Sequence, residues 1–274
     1  IDPSNGRIYR LRAAGAAPAR STPADLAALS TAELTALLRD PNRWKRQTAL
    51  RLLADRGLTA EAASATTAWA RPGDGFGLEL LWSLHAAGRL TPELASTALE
   101  SANPQVRLWT VRLLGDRREI TPALATRLAR LAAAESNLEV RTQLAATARR
   151  LPASQGLPIV KSLLAHDADV QDPRQPLMLW WAIEEQCGID PAAVLQLFSD
   201  RELWRAPVVQ SAILSRLMRR FAATGKQGDL LICARLFELS PGPESTAQLT
   251  RGFEEAFQGR PLAGLPETLV DAMA

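Results

Sequence analysis

Apolar residues along most of this chain recur at the three-and-four spacing of amphipathic helices. In DPNRWKRQTALRLLADR, Asp40 to Arg56, the residues Ala49, Leu50 and Leu53 form one apolar face, which Leu52 widens and Arg51 leaves. Asp40 reads as the N-cap and Pro41 as the first helical residue. Arg56-Gly57 supplies a cationic last turn and a left-handed stop. Arg46 falls in line with the apolar face one turn earlier, so it must pair or snorkel. A single helix of this kind cannot bury its stripe alone and is expected to stack on copies of itself.

The copies are in the sequence. Positions equivalent to Arg46 fall at Gly77, Arg107, Arg141 and Gln175, in steps of 31, 30, 34 and 34 residues. Three positions after each come Ala49, Leu80, Thr110, Leu144 and Met178. The fourth position holds Leu50, Leu81, Val111, Ala145 and Leu179, and the seventh Leu53, Leu84, Leu114, Ala148 and Ala182. A register kept small or apolar at those offsets is the buried seam of a helical repeat. The predicted fold is therefore all-α, an α-α superhelix of the HEAT-like solenoid type with about six to eight helix pairs.

Taken in order, Ser30-Thr31-Ala32-Glu33 is a capping box that opens a helix running to Arg39, followed by the helix from Asp40. The next pairs are predicted at Thr59–Trp69 with Gly75–Ala87, Thr91–Ser101 with Pro104–Arg117, and Thr121–Ala134 with Asn137–Arg150. Gly156–His166 and Pro176–Gln186 follow, joined by the polar turn HDADVQDPRQ. Beyond them come Asp190–Phe198 with one longer helix at Ala206–Thr224, then Asp229–Leu239, Glu244–Gln258 and a tail that begins another pair. Residues 4–12, SNGRIYRLR, read differently: Asn5-Gly6 is a turn signal, and Ile8, Tyr9 and Leu11 suit a short strand. The small, Pro-containing stretch 13–24 reads as a linker. The expected division is thus a strand remnant and linker over 1–24 and a helical solenoid over 25–274.

Composition narrows the function classes. With 32 basic and 29 acidic residues the net charge is +3, too balanced to favour nucleic acid as a dedicated partner. No apolar run approaches the roughly 18 residues of a membrane span. The two cysteines, Cys187 and Cys233, fit no zinc spacing and read as buried thiols. Ile1-Asp2-Pro3-Ser4 has neither a charged nor an apolar signal segment and no initiator methionine, so a piece of a longer protein is expected.

The stretches NGRIYRL, LSTAELTALLRDPNRWKRQTALRLLADR and DPRQPLMLWWAIE resemble the helical-repeat region of the large PVC-type haem-binding proteins. These proteins of planctomycete and verrucomicrobial bacteria are often labelled membrane-bound dehydrogenase-like. In that family a β-propeller precedes HEAT-like repeats, and a cytochrome c module with CxxCH closes the chain. The resemblance implies that residues 4–12 are the last propeller strand and that the parent protein is exported or periplasmic. It further implies a scaffold here, with a protein or the flanking domains of the same chain as partner. Cys187 and Cys233 each stand alone, so haem c is implied only for a flanking domain, and no oxidoreductase residue carries over.

No catalytic constellation emerges from the residues, and the chain reads as a non-enzymatic interaction module without a cofactor or metal of its own. The candidate interaction surface combines two arginine rows, Arg46, Arg107 and Arg141 in one and Arg51 and Arg112 in the other, with Trp82, Trp180 and Trp181. Against it stands the expectation that the arginines pair between repeats and the indoles fill gaps between helices. The alternative function is a nucleic-acid-binding or DNA-glycosylase-like HEAT-repeat protein, with Arg46, Arg107 and Arg141 facing phosphate and Trp180 as the aromatic residue beside them. Asp167, Asp169 and Asp172 lack the glycine and glutamate of a calcium loop and read as capping and turn residues. His85 and His166 lie in different repeats with no cysteine beside them.

Overall fold

Half of the described α-helices start at a short side chain that caps the first turn. The computed structural model describes residues 25–58, 67–69, 75–262 and 264–273, and within them every regular element is helical. Ser30 and Glu33 form a reciprocal capping box at α1 (Thr31–Leu37). Asn42 caps α2 (Arg43–Arg56) by accepting from the Trp44 amide. α3 (Phe76–Ala86) follows, then α4 (Pro92–Ala98) and α6 (Pro122–Ala134), both capped by threonines, with α5 (Pro104–Leu114) between them capped by Asn103. Asn137 caps α7 (Leu138–Ala148), and α8 (Ala153–Leu164) starts after Pro152. The remaining helices are α9 (Gln175–Ile189), α10 (Pro191–Leu197), α11 (Leu214–Ala222), α12 (Gln227–Leu239), α13 (Pro243–Phe257) and α14 (Glu267–Met273).

Three details differ from the sequence expectation. The cap of α2 is Asn42, not Asp40, because Asp40 is used one step earlier: its carboxylate accepts from the Asn42 amide and from Lys45. The predicted helix Ala206–Thr224 forms without a break over residues 207–222, but it winds as a π-helix over Val209–Ile213 before α11, and a 3-10 turn at Arg201–Arg205 precedes it. The polar turn after α8 folds into a 3-10 turn at Asp167–Gln171. The expected strand at 4–12, the linker at 13–24 and most of the helix at 59–69 lie outside the described residues.

Packing follows an alternating order. α2, α3, α5, α7, α9, α11 and α13 each touch the next in that series. So do α4, α6, α8, α10, α12 and α14. The chain therefore builds two rows of helices, and the apolar seam lies between and within them. Ala49, Leu53, Leu80, Leu81, Leu84, Val111, Leu144, Ala145, Ala148, Leu179 and Ala182 are all buried. Leu50, Leu114 and Met178 are half-buried. Burial on this scale is the main stabilising term, at about 25 cal/mol per Å² of apolar surface removed from water. The row of α2, α3, α5, α7 and α9 positions the candidate surface.

Candidate interaction surface

The arginine row Arg46, Arg107 and Arg141 points into the joints between successive helices. Each guanidinium does the same two things. Its Nη1 donates back to the carbonyls six and five residues earlier: Asp40 and Pro41 for Arg46, Ser101 and Ala102 for Arg107, Glu135 and Ser136 for Arg141. The other edge reaches forward to a carboxylate of the next repeat. Arg46 Nε lies 2.9 Å from Glu79, Arg107 takes Glu135 at 2.6 and 2.7 Å, and Arg141 takes Asp169 with Nε at 2.9 Å. A further amide–side-chain bond recurs at the same place, since Asp40, Ser101 and Glu135 accept from the amides of Asn42, Asn103 and Asn137. Glu135 thus links two joints, its carboxylate on Arg107 and its carbonyl on Arg141.

These arginines are consumed by the fold, so they do not present positive charge to a ligand. Arg141 is 8 % exposed and Asp169 2 %. Burial alone pushes the Glu135 carboxyl up, but the Arg107 hydrogen bond, the Asn137 amide and the charges of Arg107 and Arg141 outweigh it and hold it below 4.5. A group with a lower pKa folded than unfolded contributes stability that is fully present above the unfolded value and lost as pH falls through the folded one. Glu135→Gln is expected to be less stable near neutrality yet to lose less on acidification below roughly pH 5. Denaturant titrations at neutral and acid pH check this, and parallel losses in the two proteins would sink the linkage.

The second row lies on the opposite side of the same helices. Trp44, Gln47 and Arg51 of α2 and Gln105 and Arg112 of α5 are exposed, as are Arg149 at the C-cap of α7 and Trp181 and Glu185 of α9. Trp82 and Trp109 stand between them, half-buried, with ring centroids 4.9 Å apart and planes at 84°. The Trp82 Nε1 is buried without a hydrogen-bond partner among the described residues. Arg112 extends over the Trp109 ring at 5.2 Å.

Between α5, α7 and α9 this face deepens into a groove of about 780 Å³ that holds both Arg112 and Trp181. Of the residues singled out from the sequence, the structure brings these two together. Arg51 and Trp82 share the face but not the groove. Trp180 is 7 % exposed and turned into the core, because one step along a helix rotates a side chain by about 100°. The groove residues that the sequence reading missed are Arg118, Arg149, Met178 and Ile189, which come from helix ends and from one further turn of α9.

The remaining candidates take structural roles. Asp169 pairs with Arg141, and Asp172 accepts from the amides of Arg174 and Gln175 to open α9. His166 Nε2 meets the Ala132 carbonyl at 2.7 Å. Among the described residues no group of three His, Cys, Asp or Glu side chains could hold a metal ion, and no helix is long and apolar enough to cross a membrane. Cys187 and Cys233 are buried free thiols, and burial pushes both up to about 12. The native protein is expected to resist iodoacetamide near pH 8, with alkylation appearing only in denaturant, since the thiolate is the nucleophile. Rapid modification of both thiols in native buffer would contradict that burial.

A scan against protein-family models and a search of curated proteins each returned no match.

Proposed function

We propose that this chain is a non-catalytic HEAT-like α-solenoid that holds a protein partner or positions flanking domains of its own chain. The observation that carries this reading is the division of labour on the α2–α9 row. One arginine row is tied into the joints between repeats, while the opposite face leaves tryptophans and arginines to solvent. A stack whose joints repeat the same Asn cap and Arg bridge suits a rigid, extended binding surface. With the sequence resemblance added, the proposed setting is an exported or periplasmic haem-binding dehydrogenase-like protein in which this region is the spacer. Two experiments test the reading. Turnover of a sugar or nucleotide substrate by the isolated chain would overturn the non-catalytic scaffold. Reading the natural frame on both sides tests the setting, with propeller repeats on one side and CxxCH on the other as the expected result.

A second reading, nucleic-acid binding of the DNA-glycosylase-like kind, is favoured by Arg112, Arg118 and Trp181 lining one groove. The pairing of Arg46, Arg107 and Arg141 with carboxylates weakens it. A DNA titration separates the two, because a phosphate binder loses affinity steeply between roughly 50 and 200 mM salt.

A further inference from the structure

The groove between α5, α7 and α9 carries two kinds of chemistry that the fold itself does not use. The first is an apolar strip along α9. Met178 is half-buried, Trp181 is 42 % exposed and Ile189 is 67 % exposed, all on the groove side of one helix. Covering that strip releases water from apolar surface, and tryptophan is the side chain most often found at the centre of such contacts.

The second is uncompensated positive charge. Four arginines line the groove against one carboxylate, Glu185. Arg149 is paired with Glu185, and Arg150 is held by Asp116 and the Arg112 carbonyl. Among the described residues the guanidinium groups of Arg112 and Arg118 bond to no carboxylate or carbonyl, and Arg112 has only the Trp109 ring beneath it. Arg118 is also the one non-glycine residue with a left-handed backbone among those described, at φ 59°. An L side chain is disfavoured there and glycine is not. The chain nevertheless places a guanidinium at the lip of the groove.

From this, the geometry points to a docking site for an acidic, apolar peptide segment of a protein partner. Its carboxylates are taken by Arg112 and Arg118, and its apolar side chains lie on Met178, Trp181 and Ile189. Charge complementarity selects the occupant. A guanidinium fork matches a carboxylate in a bidentate pair, and two such forks from the α5 side of the groove with an apolar strip on α9 match an extended segment that carries carboxylates on one edge and apolar residues on the other. Nucleic acid fits less well, because it needs cations along its backbone and here the α9 wall of the groove is Met178, Trp181 and Ile189 with the carboxylate of Glu185 among them. The assignment rests on the scaffold reading above and deepens it by naming the groove and the class of partner.

The test uses the full chain and fluorescence anisotropy at near-physiological salt. The probes are a short fluorescein-labelled peptide of alternating glutamate and leucine, its lysine–leucine and glutamate–glycine counterparts, and a labelled oligo-dT strand. The glutamate–leucine peptide is expected to bind at least about tenfold more tightly than the other three. Trp181→Ala and Arg118→Gly are each expected to weaken it by about tenfold, whereas Arg235→Ala, on α12 and away from this face, leaves it unchanged. Arg118→Gly should keep or raise the thermal midpoint, which separates lost binding from lost folding. Absent binding, equal binding of a control peptide, or indifference to both groove variants would overturn the docking site while leaving the scaffold to its own test. Tight oligo-dT binding that falls steeply with salt would overturn both.

Discussion

Replacing Arg141 with alanine is expected to destabilise the chain by roughly 3–5 kcal/mol, the largest loss of any single polar substitution in the repeat joints. The substitution does not merely remove one ion pair. It leaves the Asp169 carboxylate, 2 % exposed, without the guanidinium that binds it, and it strips a donor from the carbonyls of Glu135 and Ser136. Each orphaned group then carries its full desolvation penalty. The comparison that isolates the cause is the double variant Arg141→Met with Asp169→Leu. Removing both charges should recover much of the loss, because a buried pair contributes little net stability over an apolar pair of similar volume. Arg149→Ala is the external control. Its pair with Glu185 is 51 % and 41 % exposed by side chain, so the expected change is within about 1 kcal/mol. Urea denaturation of the four proteins measures all of this. A loss below about 1 kcal/mol for Arg141→Ala would mean that the joint is wet and the pair exposed.

That contrast also marks how far the sequence could be read. The seam was legible because a helical repeat leaves its register in residue size, and the offsets occupied by Leu53, Leu84 and Ala148 are buried as that register requires. Capping was legible to within two residues: Asn42, Asn103 and Asn137 each stand four positions before an arginine of the row, a pattern as regular as the arginines themselves. The acceptors were not legible. Glu135 and Asp169 lie 28 residues beyond the arginines they bind, and nothing local to either carboxylate announces a partner in the preceding repeat. The need for a partner was legible in the first arginine row, because Arg46 falls in line with the apolar face while Arg51 lies off it, but not which carboxylate would meet it. Trp180 and Trp181 could not be sorted either, since their fates differ by a single residue of helix phase. The groove draws on Arg118 and Ile189, from a left-handed turn and the last turn of α9, where periodicity has already run out.

Gly252→Ala is expected to be the most damaging of the small substitutions, at about 3 kcal/mol or more. A methyl group there would sit 2.1 Å from the Ser215 carbonyl oxygen and within 2.9 Å of the Ser215 Cα, so α13 cannot keep its place against α11. The obstacle is backbone, which cannot rotate away as a side chain would, and relief requires the two helices to separate. Gly228→Ala is the matched control. It lies in α12 with nothing within 4 Å of the added carbon, so a gain of about 0.4–1 kcal/mol is expected from the lowered entropy of the unfolded chain. The pair of variants also bears on the proposed solenoid. In a linear stack each unit depends on its neighbours alone, so loosening α11 from α13 should melt the C-terminal helices ahead of the rest. Thermal unfolding of Gly252→Ala should then split into two transitions, the later one close to that of the unaltered chain. The groove at α5, α7 and α9 should keep its peptide affinity between them. A single transition shifted as a whole would instead mean that the two helical rows unfold as one cooperative body, and the nearest-neighbour description of the fold would have to be given up.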